Sequence, residues 1–355
     1  MGYTVNGHSV WFILLITFLT SFLLVPFVKK LAFHIDAVDY PNQRRINKVP
    51  MPDLGGLAVF FSFLFGFILF GQGNVQMIAI LMSSFLVIMM GLCDDIKPLG
   101  AKWQFLAQMV AAAILVFYGA ITLDEVSILG VNFVFPKPWN YLITIFFVVG
   151  VINVINLSDG LDGLCSGISA IYFATISFIA LFITRVAGFD IVLSLLMCGS
   201  ILGFLMHNFP PAKIYLGDTG SNFIGLIVAV TALLGFKTAT FTSLIIPLIV
   251  LATPIFDVAF SIIRRGLKKK NPFTTPDRDH FHHQLLKMQF STRSSLILIY
   301  AINILFALVS ILYAAGDTDY AMVLYICLMV LFLFIVLKTD ILFSHEKEKK
   351  KVRKK

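Results

Sequence analysis

The chain has 355 residues, of which 59% are hydrophobic and 13% charged, and its formal net charge is +8. This composition excludes a soluble globular domain, because the apolar stretches are long enough to cross a hydrocarbon core of about 30 Å. The four cysteines are scattered without a CxxC pair, so they predict neither a disulfide framework nor a structural zinc site.

Hydropathy predicts an all-α, polytopic integral membrane helical bundle with about eleven transmembrane helices, since only helices can satisfy their own backbone groups in spans of this length. We expect residues 1–340 to form a single transmembrane domain, followed by a basic cytoplasmic tail at 341–355. The predicted spans lie near residues 9–29, 54–71, 76–93, 102–119, 140–157, 166–184, 190–208, 222–236, 241–263, 294–314 and 320–338.

The basic residues predict the orientation of these spans. All but three of the 27 lysines and arginines fall in one alternate set of loops, and the exceptions are Lys137, Arg185 and Lys237. By the positive-inside rule that set is cytoplasmic, so the N-terminus lies outside and the C-terminus inside. The net charge is then explained by topology and attraction to anionic lipid, and no nucleic-acid partner is expected. The polar clusters all fall in the cytoplasmic loops 40–53, 94–102, 156–164, 208–221 and 264–293.

The first cytoplasmic loop contains Lys48, prolines at 50 and 52, and the pair Gly55-Gly56. The prolines oppose helix formation, and the glycines allow the second span to approach a neighbour closely. Its basic residues fit either an orientation signal or an anion site.

Asp94 and Asp95 end the third span, where acids are costly and therefore suggest function. Because neighbours on a helix point about 100° apart, we expect the two carboxylates to address different partners. Lys102 follows in the same loop.

Amides and carboxylates surround a glycine-rich turn after the fifth span. Such groups at a tight turn suit recognition of a heterocycle or of a metal-bound phosphate, although simple helix capping is an alternative. The residues are Asn153, Asn156, Asp159, Asp162, Gly160 and Gly163.

In the loop at 208–221, Asp218 precedes a helix expected to begin near Ser221, an arrangement suited to phosphate and Mg²⁺. Tyr215 is a candidate for stacking on a base. The next cytoplasmic loop carries His280, His282 and His283 beside Asp277, and this pattern alone does not distinguish a transition-metal site from a phosphate site.

Within the ninth span, Asp257 and Arg264 lie on nearly the same helix face, which favours a buried ion pair. In the outside segment at 121–138, alternating apolar residues predict a small hairpin. Composition and spacing together indicate a membrane enzyme or transporter with a carboxylate-rich site suited to Mg²⁺, and they name no substrate.

The sequence resembles the polyprenyl-phosphate N-acetylhexosamine-1-phosphate transferases, the superfamily that includes the phospho-MurNAc-pentapeptide translocase. The resemblance covers most of the chain. It rests on five motifs in the family's order, namely Pro50–Gly56, Asp94-Asp95, Asn153–Gly163, Asn208–Ser221 and Asp277–His283.

The resemblance implies a Mg²⁺-dependent enzyme, with Mn²⁺ as an alternative ion, that transfers a sugar 1-phosphate from a UDP-sugar to undecaprenyl phosphate and releases UMP. It places this enzyme in the bacterial plasma membrane, with its active site on the cytoplasmic face and membrane lipid around it. It also leaves room for a homodimer.

The resemblance assigns roles to individual residues. It implies that Asp94, Asp95 and Asp218 are catalytic and that Asp218 and Asp95 contact the metal. Direct attack with Asp94 as proton acceptor and a two-step path through an aspartyl phosphate both remain open. The substrate-binding residues that it implies are Lys48, Lys102, Asn153, Asn156, Asp159, Asp162, Asn208, Tyr215, His280, His282 and His283.

The histidine motif distinguishes branches of the family. Phe281 interrupts the run of histidines that is contiguous in the pentapeptide-accepting translocases. This departure, together with the basic tail, resembles the branch that takes UDP-N-acetylglucosamine for teichoic acid or other surface polymers. The pentapeptide-accepting translocase is the alternative enzyme, and a cation-coupled transporter is the alternative from another class.

Overall fold

The structure is a computed structural model that describes residues 4–41, 49–128, 131–184, 189–235, 245–267 and 280–338. In this part of the chain the protein is a helical bundle with three short β-hairpins, which confirms the predicted fold class. The helices are α1 (Val10–His34), α2 (Gly56–Phe70), α3 (Val75–Ile96), α4 (Ala101–Ala113), α5 (Trp139–Leu157), α6 (Leu164–Phe178), α7 (Phe189–Asn208), α8 (Gly217–Leu234), α9 (Ile245–Val250), α10 (Ala252–Leu267), α11 (Phe281–Lys287), α12 (Thr292–Ala314) and α13 (Thr318–Lys338).

Nine helical segments within the described residues are long and apolar enough to span a membrane. Two of them continue through π-helical turns, α4 through Ile114–Tyr118 and α6 through Ile179–Thr184. The other two predicted spans differ from expectation. The second is the shorter helix α2, of 15 residues, and the ninth is divided between α9 and α10.

Each hairpin pairs two short antiparallel strands. The third one lies in the segment at 121–138 and confirms the hairpin predicted there. The second joins the end of α1 to the stretch before α2. The strands are β1 (Thr4–Val5) with β2 (His8–Ser9), β3 (Val38–Asp39) with β4 (Met51–Pro52), and β5 (Glu125–Ile128) with β6 (Val131–Val134).

Helix α8 is the centre of the bundle. It packs against α2, α3, α5 and α7. In α8, 94% of the residues in the 18-residue stretch that could span a membrane are buried, compared with 17% in α13. Helices in a membrane associate through close packing of small residues, and α8 carries glycines at 217, 220 and 225. The outer helices therefore face lipid, and α8 supplies a rigid internal support.

Two glycines bring neighbouring helices into backbone contact with the start of α8. A methyl group on Gly56 of α2 would overlap the backbone of Gly220. On α3, a Cβ atom at Gly91 would lie 2.5 Å from Thr219 Cα and 2.7 Å from the carbonyl carbon of Asp218. Since backbone atoms cannot yield as a flexible side chain can, both positions require glycine.

We expect Gly91→Ala to lower the melting temperature of the detergent-solubilised protein, because overpacking against backbone costs about 1–3 kcal/mol. Gly150→Ala is the matched control, since Gly150 lies within α5 and no atom would meet its Cβ within 4 Å. That control should melt at or above the wild-type temperature, because alanine favours helix over glycine by about 1 kcal/mol. Equal melting of the two variants would contradict the close packing at Gly91.

Candidate active site

Asp218 lies in the first turn of α8, which begins at Gly217 and not near Ser221 as expected. The earlier start is explained by Asp95 at the end of α3. Its carboxylate accepts hydrogen bonds from Asp218 N at 2.8 Å, Thr219 N at 3.1 Å and Thr219 Oγ1 at 2.5 Å. An acid from another helix thus caps α8, where the helix dipole also favours negative charge.

The two neighbouring acids of α3 have different partners, as their angular separation predicts. Asp94 accepts a hydrogen bond from Leu99 N at 2.5 Å, and its side chain also interacts with that of Asp218. Asp95 uses three of about four acceptor positions on the start of α8. Asp94 is therefore the α3 acid that is better placed to share a cation with Asp218.

Both side-chain oxygens of Asp218 accept hydrogen bonds from neutral amides. Asn156 Nδ2 donates to Oδ1 at 2.9 Å and also to Ser221 Oγ at 2.9 Å. Gln104 Nε2 on α4 donates to Oδ2 at 3.3 Å. Amide donors orient a carboxylate without placing a positive charge beside it, so neither donor takes the place of a cation at Asp218. The sequence did not predict Gln104 as a site residue, because a single amide barely lowers the hydropathy of an apolar span.

The loop between α5 and α6 carries Asp159 and Asp162. Asp159 is half-buried and lines a cavity. Desolvation, together with the negative charges of Asp53 and Asp218, raises its pKa well above its usual range. Burial also raises the pKa of Asp162, although its Oδ2 accepts a hydrogen bond from Ala212 N at 3.0 Å. Asp162 therefore ties two loops together beside the cavity.

The side chains of Asn208 and Asn153 form hydrogen bonds that join neighbouring loops and helices. Asn208 Oδ1 accepts from Gly163 N at 3.0 Å and Ser166 Oγ at 2.7 Å, while its Nδ2 donates to Ile214 O at 2.9 Å. Asn153 Nδ2 donates to Gln108 Oε1 at 2.7 Å and Val149 O at 2.8 Å. These amides hold the loops and helices that form the site.

Asp53 is an acid of the site that sequence reasoning did not single out. The segment before α2 runs alongside the segment before α8, with Tyr215 N donating to Pro52 O at 2.9 Å and Gly55 N donating to Tyr215 O at 2.9 Å. This pairing places Asp53 at the cavity wall. A signal was present, since Asp53 is the acid within the motif Pro50–Gly56.

A cavity of about 530 Å³ opens where these loops meet. Of the predicted substrate residues, it collects Asn156, Asp159, Asp162, Asn208, Tyr215 and His283, together with Asp218. The full lining in the described part of the chain is Asp39, Val49, Met51, Asp53, Asn156, Asp159, Gly160, Leu161, Asp162, Asn208, Pro211, Ala212, Tyr215, Leu216, Gly217, Asp218, His283 and Thr292.

Other predicted site residues lie elsewhere. Lys102 is exposed on α4 and is not in the cavity wall. Lys48 and Asp277 lie outside the described residues, as does the basic tail at 341–355.

The histidine segment docks onto α10. The carboxylate of Asp257 accepts a hydrogen bond from Phe281 N at 2.8 Å and pairs with His280 Nδ1 at 3.0 Å. The buried partner of Asp257 is thus His280, the residue before α11, whereas the sequence favoured Arg264. This pair fixes the start of α11 next to the cavity.

His282 has a different environment from its neighbours. It is 2% exposed, and among the described residues its Nε2 has no hydrogen-bond partner. The same nitrogen lies against Gly160, where a Cβ atom would meet it at 2.6 Å. Burial, followed by the charge of His283, lowers the pKa of His282 to about 3.

The cavity wall suits a divalent cation. Asp53, Asp159, Asp162 and Asp218 line it, while none of its lining residues in the described part of the chain is lysine or arginine. Within the same residues, no three or more His, Cys, Asp or Glu side chains are grouped so that they could hold a metal ion by themselves. Mg²⁺ needs no such cage, because it binds through one or two carboxylates, water and substrate phosphates. The residues present therefore fit Mg²⁺.

Comparison with known proteins identifies the family. The family described as glycosyl transferase family 4 matches residues 77–236. The probable undecaprenyl-phosphate N-acetylglucosaminyl 1-phosphate transferase of Bacillus subtilis strain 168 is 38% identical over 325 residues, which are 91% of this chain and 88% of that protein. The chain belongs to glycosyl transferase family 4. It is accordingly a membrane-embedded transferase, and the predicted family resemblance is confirmed.

Two further relatives are similar over most of their length. The undecaprenyl-phosphate alpha-N-acetylglucosaminyl 1-phosphate transferase of Thermotoga maritima is 30% identical over 92% of this chain and 97% of its own. The decaprenyl-phosphate N-acetylglucosaminephosphotransferase of Mycobacterium tuberculosis strain H37Rv is 31% identical over 77% of this chain and 74% of its own. The segment matched by the family, 77–236, contains Asp94, Asp95, Asp159 and Asp218.

His282 predicts a pH dependence of stability. Its pKa in the folded protein is about 3, below the ordinary value of 6.5, so at intermediate pH the unfolded chain binds more protons. Stability should therefore fall as pH drops below about 6.5, by about 2 kcal/mol at pH 5 from this group. We expect His282→Gln to lose less melting temperature than the wild type between pH 7.5 and pH 5.

The exposed His34 provides the control for this measurement, because His34→Gln removes a histidine from the end of α1. Its melting temperature should follow the wild-type pH dependence. An unchanged pH dependence in His282→Gln would show that His282 is not held neutral by burial.

Proposed function

We propose that the protein transfers N-acetylglucosamine 1-phosphate from UDP-N-acetylglucosamine to undecaprenyl phosphate. The products are UMP and undecaprenyl-diphospho-N-acetylglucosamine, the first lipid-linked intermediate of teichoic acid or another surface polymer. The observation that carries the proposal is the acidic cavity at the start of α8, built within a family whose similar members are named for this transfer. The reaction takes place at the cytoplasmic face of the bacterial plasma membrane, as the charge bias of the loops predicts.

Asp218 and Asp94 are the residues that would hold Mg²⁺. Their side chains interact directly, and the hydrogen bonds to Asp218 come from neutral donors. Asp95 is better suited to anchoring α8, because its oxygens already accept three hydrogen bonds. When bound, Mg²⁺ neutralises the diphosphate of the donor and improves UMP as a leaving group.

The cavity accommodates the donor. Its volume of about 530 Å³ lies within the range of about 300–1,000 Å³ that is usual for small-molecule sites. Tyr215 offers an aromatic face for the uracil ring, and Asp159 and Asp162 offer acceptors for hydroxyl or amide groups. His283, on α11, lines the cavity and is placed to donate a hydrogen bond to phosphate.

The acceptor approaches from the lipid side. Trp103 and Leu106 expose apolar surface on α4, next to Gln104, which contacts Asp218. An oxygen of the lipid phosphate attacks the phosphorus that carries the sugar, and the bond from that phosphorus to the UMP oxygen breaks. Because a phosphate monoester is already mostly ionised at neutral pH, Asp94 as proton acceptor contributes little, and positioning carries most of the catalysis.

The deciding experiment measures UMP release by the purified protein in the presence of undecaprenyl phosphate and Mg²⁺. UDP-N-acetylglucosamine, UDP-N-acetylgalactosamine and UDP-MurNAc-pentapeptide are supplied separately, and the lipid product is identified by mass. We expect UMP and lipid product only with UDP-N-acetylglucosamine. Product only from the pentapeptide donor would assign the protein to the alternative branch. Substrate counterflow in proteoliposomes without UMP release would overturn the enzyme proposal.

Asp218→Asn should reduce turnover by at least about a hundredfold, the scale for a lost electrostatic group at the reacting phosphates. The variant keeps an oxygen to accept from Asn156, so its folding should be preserved. The matched control is Asp317→Asn, an exposed acid before α13, which should retain wild-type turnover. Turnover of Asp218→Asn within a few fold of wild type would remove Asp218 from the cation site.

A further inference from the structure

Helix α4 carries two glutamines one turn apart on its inner face. Gln108 is 2% exposed, although it lies in the middle of a membrane-length helical segment, Ala101–Tyr118. Gln104 is half-buried, and Lys102, Trp103, Phe105 and Leu106 around it are exposed. Polar groups inside a membrane span are costly, so buried amides there need partners and suggest a function.

Gln108 is the middle of a directional chain of amides. Asn153 Nδ2 on α5 donates to Gln108 Oε1 at 2.7 Å, and Gln108 Nε2 donates to Asn222 Oδ1 on α8 at 2.9 Å. Asn222 Nδ2 in turn donates to Asp218 O at 2.7 Å. Gln108 and Asn222 each accept from one neighbour and donate to the next, while Asn153 donates at the start of the chain, so these hydrogen bonds orient all three side chains. It ends on the backbone of Asp218.

Gln104 acts on the same residue from the other side. Its Nε2 donates to Asp218 Oδ2 at 3.3 Å, while Asn156 from α5 donates to Oδ1 at 2.9 Å. The carboxylate is thereby held at both oxygens by donors from two helices. Helix α4, which packs against α5, therefore contacts the side chain of Asp218 through Gln104 and the backbone of Asp218 through Gln108 and Asn222.

We propose that Gln104 and Gln108 are positioning residues for Asp218, through which α4 sets the direction in which this carboxylate presents itself to the divalent cation. The inference rests on the proposed function, because it treats Asp218 as the cation ligand. Neither glutamine touches the reacting atoms. Gln104 contacts the side chain of Asp218 directly, and Gln108 acts on the backbone carbonyl of Asp218 through Asn222.

The test uses Gln104→Met and Gln108→Met, which keep the side-chain length and remove the amide. Groups that orient a metal ligand typically contribute about 10–100-fold to metal affinity or activity. We expect each variant to raise the Mg²⁺ concentration for half-maximal UMP release by about tenfold. The KM for the UDP-sugar at saturating Mg²⁺ should change less than twofold, which a general loss of structure would not produce.

A second readout is independent of turnover. Mg²⁺ binding to the folded protein raises its melting temperature by mass action, so the rise is measured with Mg²⁺ alone, without donor or acceptor. The rise should be present in wild type, absent in Asp218→Asn and displaced to about tenfold higher Mg²⁺ in both glutamine variants. If wild type released no UMP, the proposed function would fail, while this titration would still test the positioning role.

Asn303→Leu is the matched control. Asn303 is a fully buried amide whose Nδ2 donates to Ile299 O within α12. Its replacement should leave both Mg²⁺ responses unchanged. Glutamine variants that melt at lower temperature but keep the wild-type Mg²⁺ response would overturn the proposal and leave the two residues as contacts between helices. A wild-type melting temperature unaffected by Mg²⁺ would overturn it as well.

Discussion

The hydrogen bonds from the start of α8 to the carboxylate of Asp95 are the interaction on which the site depends. The N-terminus of a central, mostly buried helix has little access to water for its free N–H groups, and an acid from α3 accepts hydrogen bonds from two of them. Hydrogen bonds to a charged group contribute about 1.5–3 kcal/mol each. Because Asp218 is one of the residues whose N–H is bound in this way, the cap also determines where the carboxylate of Asp218 lies.

The acids of the site could be predicted because they stand out in the sequence as charged residues at the ends of apolar spans. Carboxylates at the ends of apolar helices are costly to place near a membrane, so their presence indicates a function. In the structure, Asp94, Asp159 and Asp218 converge at one end of the bundle. The loops that carry them were also placed on one side by counting basic residues. These inferences needed only hydropathy and charge, both of which are local properties of the chain.

What failed to follow from the sequence depends on partners far away in the chain. The start of α8 was placed too late because its cap is supplied by Asp95, which lies 123 residues earlier. Nor did the sequence indicate that the amide of Asn208, which is predicted to bind substrate, also accepts hydrogen bonds from Gly163 and Ser166, more than 40 residues away. Gln104 and Gln108 were missed because two amides barely lower the hydropathy of a span, and only the packed structure shows which way they face.

The close contact at Gly91 and the cap at Asp95 together restrict the movement of α3 relative to α8. Gly91 and Asp95 lie four residues apart on one face of α3, and both meet the same turn of α8 around Thr219. The close backbone contact at Gly91 and the cap at Asp95 lie one turn apart. Sliding or rotating α3 against α8 would break both contacts. Any change in the shape of the cavity would therefore have to come from the elements across it, the segment that carries His283 and the loop that carries Asp162.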